Sequence, residues 1–122
     1  MKLVVAAIVV GMSSSLFAPA CGQAQSQENV KTFTYKKTKQ ADLEIVVHFP
    51  AGWKETDKRA GIVFFFGGGW ENGTIKAFEP QARYLAGRGM VAVRADYRVK
   101  SRHGVTPKEC VDDARKIGRA HV

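Results

Sequence analysis

Only two cysteines occur in the 122 residues. Cys21 lies in an N-terminal stretch that reads as removable, which leaves Cys110 alone and excludes a disulfide framework in the mature segment. No apolar run suffices for a comfortable membrane span: Leu3 to Val10 is less than half of the roughly 20 residues a helix needs. No group of His, Cys, Asp and Glu has metal-site spacing, and the sequence implies no cofactor. The net charge of +8 comes from scattered residues such as Lys31, Lys36, Lys37, Lys39, Lys54, Lys58 and Arg59. Without aromatic interleaving they read as a solvated surface, and nucleic acid is not an expected partner. Internal repeats and low-complexity segments are also absent.

What is present starts with a leader. "MKLVVAAIVVGMSSSLFAPACGQAQS" has one lysine, an apolar core and then small residues, the layout of a secretory signal peptide. "APA" before Cys21 and "GQA" ending at Ala24 both read as cleavage sites, so residues 1–24 are expected to be the signal peptide. Lipidation at Cys21 stays open as a second route, although Ala18 stands where the lipoprotein box has Leu. The expected location is secreted or periplasmic, with membrane contact only if Cys21 is lipidated.

Residues 25–116 read as part of one α/β domain. "KTFTYKK" alternates and suggests an edge strand, and "DLEIVVHFP" alternates up to Pro50. "GIVFFF" is a fully apolar strand pattern, expected to be central and covered on both faces. "EPQARYLAGRG" reads as a helix with Pro80 in its first turn and Gly89 at its C-terminal cap. "MVAVRADYR" is another strand. "TPKECVDDARKI" opens with a capping box of Thr106 and Glu109 and places Cys110, Ala114 and Ile117 on one face. The βαβα order predicts a mostly parallel sheet with helices on both faces, a three-layer αβα sandwich.

Directly after "FFF" come Gly67, Gly68 and Gly69, then Trp70. A dinucleotide fingerprint needs a glycine at Asn72, and a phosphate loop needs a Gly-Lys-Ser/Thr that does not follow. A plain connection is a second reading, but two glycines would serve it. A third is an oxyanion hole, in which bare main-chain amides meet a developing negative oxygen. Glycine suits that loop because side chains would obstruct the substrate's approach.

"FFFGGGW", "FEPQARYLAGRGMVAVRADYRV" and "HGVTPKECVDDAR" resemble the N-terminal part of α/β-hydrolase esterases. They look most like the secreted bacterial carboxylesterase and acetylesterase branch related to hormone-sensitive lipase. The resemblance covers about Thr32 to Lys116. It implies that Gly68 and Gly69 supply oxyanion-hole amides, with Gly67 supporting the turn. It also implies that Trp70 packs beside the acyl or alcohol pocket; a core-edge aromatic is the competing reading. Phe66 stands where familiar relatives carry a loop-holding His, so apolar packing is expected to replace it. Arg98 and Asp112 match a pair that ties the strand end to the next helix, and Asp96 is read as structural too.

The expected substrate is a small ester or an acetylated carbohydrate. The family's Gly-x-Ser-x-Gly nucleophile motif is absent from the 122 residues. Ser101 and His103 lie too close in sequence for a triad, and His103 and His48 are expected to be structural. The chain is therefore expected to be truncated before the nucleophile and inactive alone. "IGRAHV", Ile117 to Val122, reads as a non-native tail because Gly118 breaks the helical pattern. The alternative function is a small exported carbohydrate-binding protein that stacks sugars on Trp53 and Trp70.

Overall fold

The computed structural model describes residues 29–118. The expected leader, Cys21 and the last four residues of the expected tail lie outside them. Two strands, β1 (Asn29–Lys37) and β2 (Asp42–Phe49), form an antiparallel hairpin. Its register slips between Thr34 and Lys36. Then come β3 (Gly61–Phe65), α1 (Glu79–Gly87), β4 (Val91–Ala95), the short α2 (Lys100–His103) and α3 (Pro107–Ile117). The sheet order is β1-β2-β4-β3. β2 meets β4 antiparallel and β4 meets β3 in parallel, so the βαβ unit forms as expected within a mixed sheet.

The alternation of β2 sets the two faces. Leu43, Ile45, Val47 and Phe49 are buried on one side, and Ile117 of α3 packs with the last three and Ala95. His48 and Arg94 face the other side, where α1 packs against β4 and β2. The helices thus take opposite faces. Thr106 and Glu109 form the anticipated capping box, and Gly89 follows α1 with φ 93°. Ile117 belongs to the last turn of α3 and to the core.

β3 departs from expectation. It lies at the edge of the described sheet, and only alternate residues are covered; Val63 and Phe65 remain 43% and 41% exposed. Phe64 stacks on Phe78 just before α1, at 5.2 Å between centroids. An all-apolar run indicates two buried faces, but the described residues cover only the face that carries Phe64. The interior strands of the described sheet are β2 and β4.

A second correction concerns the ion pair between strand end and helix. Arg98 is bound to Asp113, not Asp112: Nε and Nη2 donate to the two carboxylate oxygens at 2.8 and 2.9 Å. Lys36 of β1 adds a contact at 2.5 Å, and Asp113 is fully buried. Asp112 is solvent-facing and pairs with Lys108 one turn away. Burial pushes the Asp113 carboxyl up, but the hydrogen bonds from Arg98 and Lys36 outweigh it and hold the group below its ordinary value.

Removing one partner of a buried pair strands the other charge, so Asp113→Ala should cost about 3–5 kcal/mol. Asp112→Ala should stay within about 0.5 kcal/mol. Urea unfolding of both variants checks the contrast. Because the folded carboxyl titrates lower than the unfolded one, its contribution is complete above about pH 4 and is lost as pH falls toward the folded value. The wild-type urea midpoint should drop in that acid range, with a shallower drop in Asp113→Asn.

Candidate active site

β3 delivers the chain to Phe66, which is 4% exposed, and then to the glycines. Gly68, Gly69 and Gly73 have φ of 132°, 61° and 121°, and Trp70 has φ 65°. Trp70 is the one non-glycine with positive φ among the described residues, a conformation that costs about 1–3 kcal/mol. A Cβ on Gly68 would lie 2.2 Å from the Asn72 carbonyl oxygen. On Gly73 it would lie 2.3 Å from the Phe66 ring. Gly67 differs from both, because nothing lies within 4 Å of its Cβ position and its φ is not in the left-handed region.

The loop is held by its carbonyl oxygens. Gly68 C=O accepts from the amides of Glu71 and Asn72 at 3.1 and 3.3 Å. Trp70 C=O accepts from the Lys100 amide at 2.9 Å, and Glu71 C=O from the Ser101 amide at 3.0 Å. Lys100 Nζ also meets the Glu71 carboxylate at 3.0 Å. Tyr97 Oη donates to Phe66 C=O at 2.5 Å, and the two rings stack 4.1 Å apart. Further along, Arg94 Nη1 donates to Ile75 C=O at 3.0 Å while its Nε donates to His48 Nε2. The amides of Gly67, Gly68, Gly69 and Trp70 find no acceptor among the described residues.

Beside the loop lies an apolar cavity of about 370 Å³, lined by Phe65, Trp70, Tyr97, Cys110 and Val111 among others. Trp70 stands at its rim, 48% exposed. Burial pushes the Cys110 thiol up, and Cys110 Sγ donates to Thr106 C=O at 3.3 Å, so this thiol is a poor nucleophile. Burial also pushes the Tyr97 phenol up.

The remaining expected residues fall as follows. His48 is fully buried against Arg94. His103 Nδ1 accepts the Val99 amide at 3.1 Å, which fixes the turn rather than activating Ser101. Asp96 Oδ1 accepts from the Tyr97 amide and from Arg102, in keeping with a structural role. Trp53 packs against Phe49 with the rings tilted 35° and lines a separate cavity with Phe33, so Trp53 and Trp70 do not form one sugar platform. Among the described residues no group of His, Cys, Asp and Glu could hold a metal ion.

Sequence reasoning overlooked three residues. Asp113 was accessible to it, since positions 110, 113 and 117 share a helix face and 112 does not. Gly73 carries a steric demand set by the folded Phe66 ring. Tyr97 acts across 31 positions, and no local pattern marks it.

No family model and no curated protein matches the chain. Solved structures do. The native form of Est2, a thermophilic esterase from the Planctomycetes species Thermogutta terrifontis, is 51% identical with a TM-score of 0.71. That match covers 74% of this chain and 32% of Est2. The butyrate-bound form gives the same identity, score and shares. The form phosphorylated by paraoxon matches at 51% identity and TM-score 0.69, over 72% of this chain and 34% of that one. The chain thus spans about a third of the length of the esterase it matches. Sheet, helices and identity together make the described residues part of an esterase-type α/β-hydrolase fold.

Proposed function

We propose that this chain supplies the anion-stabilising part of a serine carboxylic-ester hydrolase acting on short-chain or acetyl esters. The carrying observation is the run of four successive amides, Gly67 to Trp70, that have no acceptor among the described residues, while the carbonyls of Phe66, Gly68, Trp70 and Glu71 are hydrogen-bonded within the chain. Acyl transfer places negative charge on the former carbonyl oxygen, and donors already aimed there stabilise it by about 3–4 kcal/mol each. Gly68 and Gly69 take that role, and Gly67 supports the loop and keeps its approach open. Trp70 borders the acyl or alcohol group of the substrate.

The nucleophilic serine, its base and its acid come from sequence other than these 122 residues in this reading, because no Gly-x-Ser-x-Gly is present. The relative's phosphorylation by paraoxon supports an activated hydroxyl as the family's nucleophile. Its propionate- and butyrate-bound forms support a short acyl group. Export through residues 1–24, lipidation at Cys21 and membership of the branch related to hormone-sensitive lipase belong to the same proposal.

The chain alone should not hydrolyse p-nitrophenyl acetate above a heat-denatured control, and turnover there overturns the assignment of the nucleophile to other sequence. A gene product that extends this chain through a Gly-x-Ser-x-Gly should hydrolyse it. In that product a Gly67→Ala methyl should obstruct the approach and lower kcat/KM by about 10²-fold, the scale of a lost oxyanion donor.

Stability should separate the glycines in the opposite order. Gly68→Ala meets both a positive φ and the Asn72 carbonyl, so urea unfolding should show a loss of about 1–3 kcal/mol. Gly67→Ala meets neither and should stay within about 0.5 kcal/mol.

A further inference from the structure

We propose that Tyr97 is the positioning residue of the glycine loop, its hydroxyl setting the plane of the Phe66–Gly67 peptide. Its importance for chemistry rests on the ester-hydrolase reading above; its effect on the loop does not.

The argument starts from the peptide unit. In a trans peptide the C=O and the following N–H lie in one plane and point in opposite directions. No cis peptide occurs among the described residues. Tyr97 Oη holds Phe66 C=O, so the Gly67 N–H on the same plane is aimed away from Tyr97. Gly67 has open space at its Cβ position, and its amide has no acceptor among the described residues. One hydroxyl on the inner side therefore orients a donor on the outer side.

The ring contacts make the setting stiff. Phe66 and Tyr97 stack with their planes 11° apart. The Arg102 guanidinium sits over the Phe66 ring at 5.8 Å and is itself held by Asp96 at 2.9 Å. The Phe66 ring also fills the space that the missing Gly73 side chain leaves. Both ends of the 67–73 loop thus bear on Phe66, and Tyr97 is the group that fixes Phe66 through ring and backbone together.

The test is NMR on the isotope-labelled full chain, wild type against Tyr97→Phe, which keeps the stack and deletes only the hydroxyl. Amide order parameters of Gly67, Gly68 and Gly69 should fall from about 0.85 to below about 0.6, with β2 and β4 unchanged. A merely structural tyrosine would lower the unfolding midpoint and leave this contrast between loop and strands untouched. Loop order equal to wild type overturns the proposal. Should Tyr97→Phe fail to fold, the wild-type chain grown with 3-fluorotyrosine gives the answer, since fluorine strengthens the phenol as a donor. The Phe66 carbonyl ¹³C and Gly67 amide ¹⁵N signals should then shift; the absence of shifts at both overturns the proposal. No ester or nucleophile enters the measurement. The hydrolase reading can therefore fail while Tyr97 is upheld, and the reverse.

Discussion

The bidentate contact between Arg98 and buried Asp113 is the constraint from which the rest of the architecture follows. It joins the chain just past β4 to the middle of α3, and Lys36 extends it to the edge strand β1. With α3 fixed there, Cys110 closes over Tyr97, Val99 and Phe66 in a second apolar cluster. That cluster is the floor of the glycine loop. Burying a carboxylate is unfavourable by itself, and the three cationic hydrogen bonds offset the cost. Such a pair contributes less to net stability than to placing α3 in one position.

Asp96, Tyr97 and Arg98 form a junction with three outputs. Asp96 holds Arg102, Tyr97 holds the start of the glycine loop, and Arg98 holds α3. Three adjacent residues thus serve three neighbours. The loop and α3 are therefore positioned from one short stretch of backbone. A shift of that stretch would move both walls of the cavity at once.

Much of this was legible in the sequence. The period of two in "DLEIVVHF" identified the core face of β2, and the period of α3 identified Cys110 and Ile117. The order of elements also predicted the parallel β3–β4 pair and helices on opposite faces. Composition could not show which strand would be interior, because an apolar run reports that a face wants cover without saying what covers it. Hence β3 was expected in the centre and lies at the edge of the described sheet, with Val63 and Phe65 exposed. Nor could three adjacent glycines be told apart. Gly68 is held to glycine by the Asn72 carbonyl and its positive φ, Gly69 by its positive φ alone, and Gly67 by neither, distinctions that exist only after folding.

That separation bears on what the loop is for. Gly68 and Gly73 are required by the chain's own atoms, so they would be glycine in any loop of this shape. Gly67 is not required by any described atom, and a side chain there would meet nothing. A bare position that the fold does not need points to something the fold must admit. The strained Trp70 supports the same view, since positive φ persists where surroundings enforce it, and here the amides of Lys100 and Ser101 grip the carbonyls of Trp70 and Glu71. These bonds fix the carbonyls of Gly68, Trp70 and Glu71 and leave the amides of Gly67 to Trp70 without an acceptor among the described residues. In the proposed reading these amides are the donors for a transient oxyanion, where dipoles oriented in advance need no reorganisation when the charge develops.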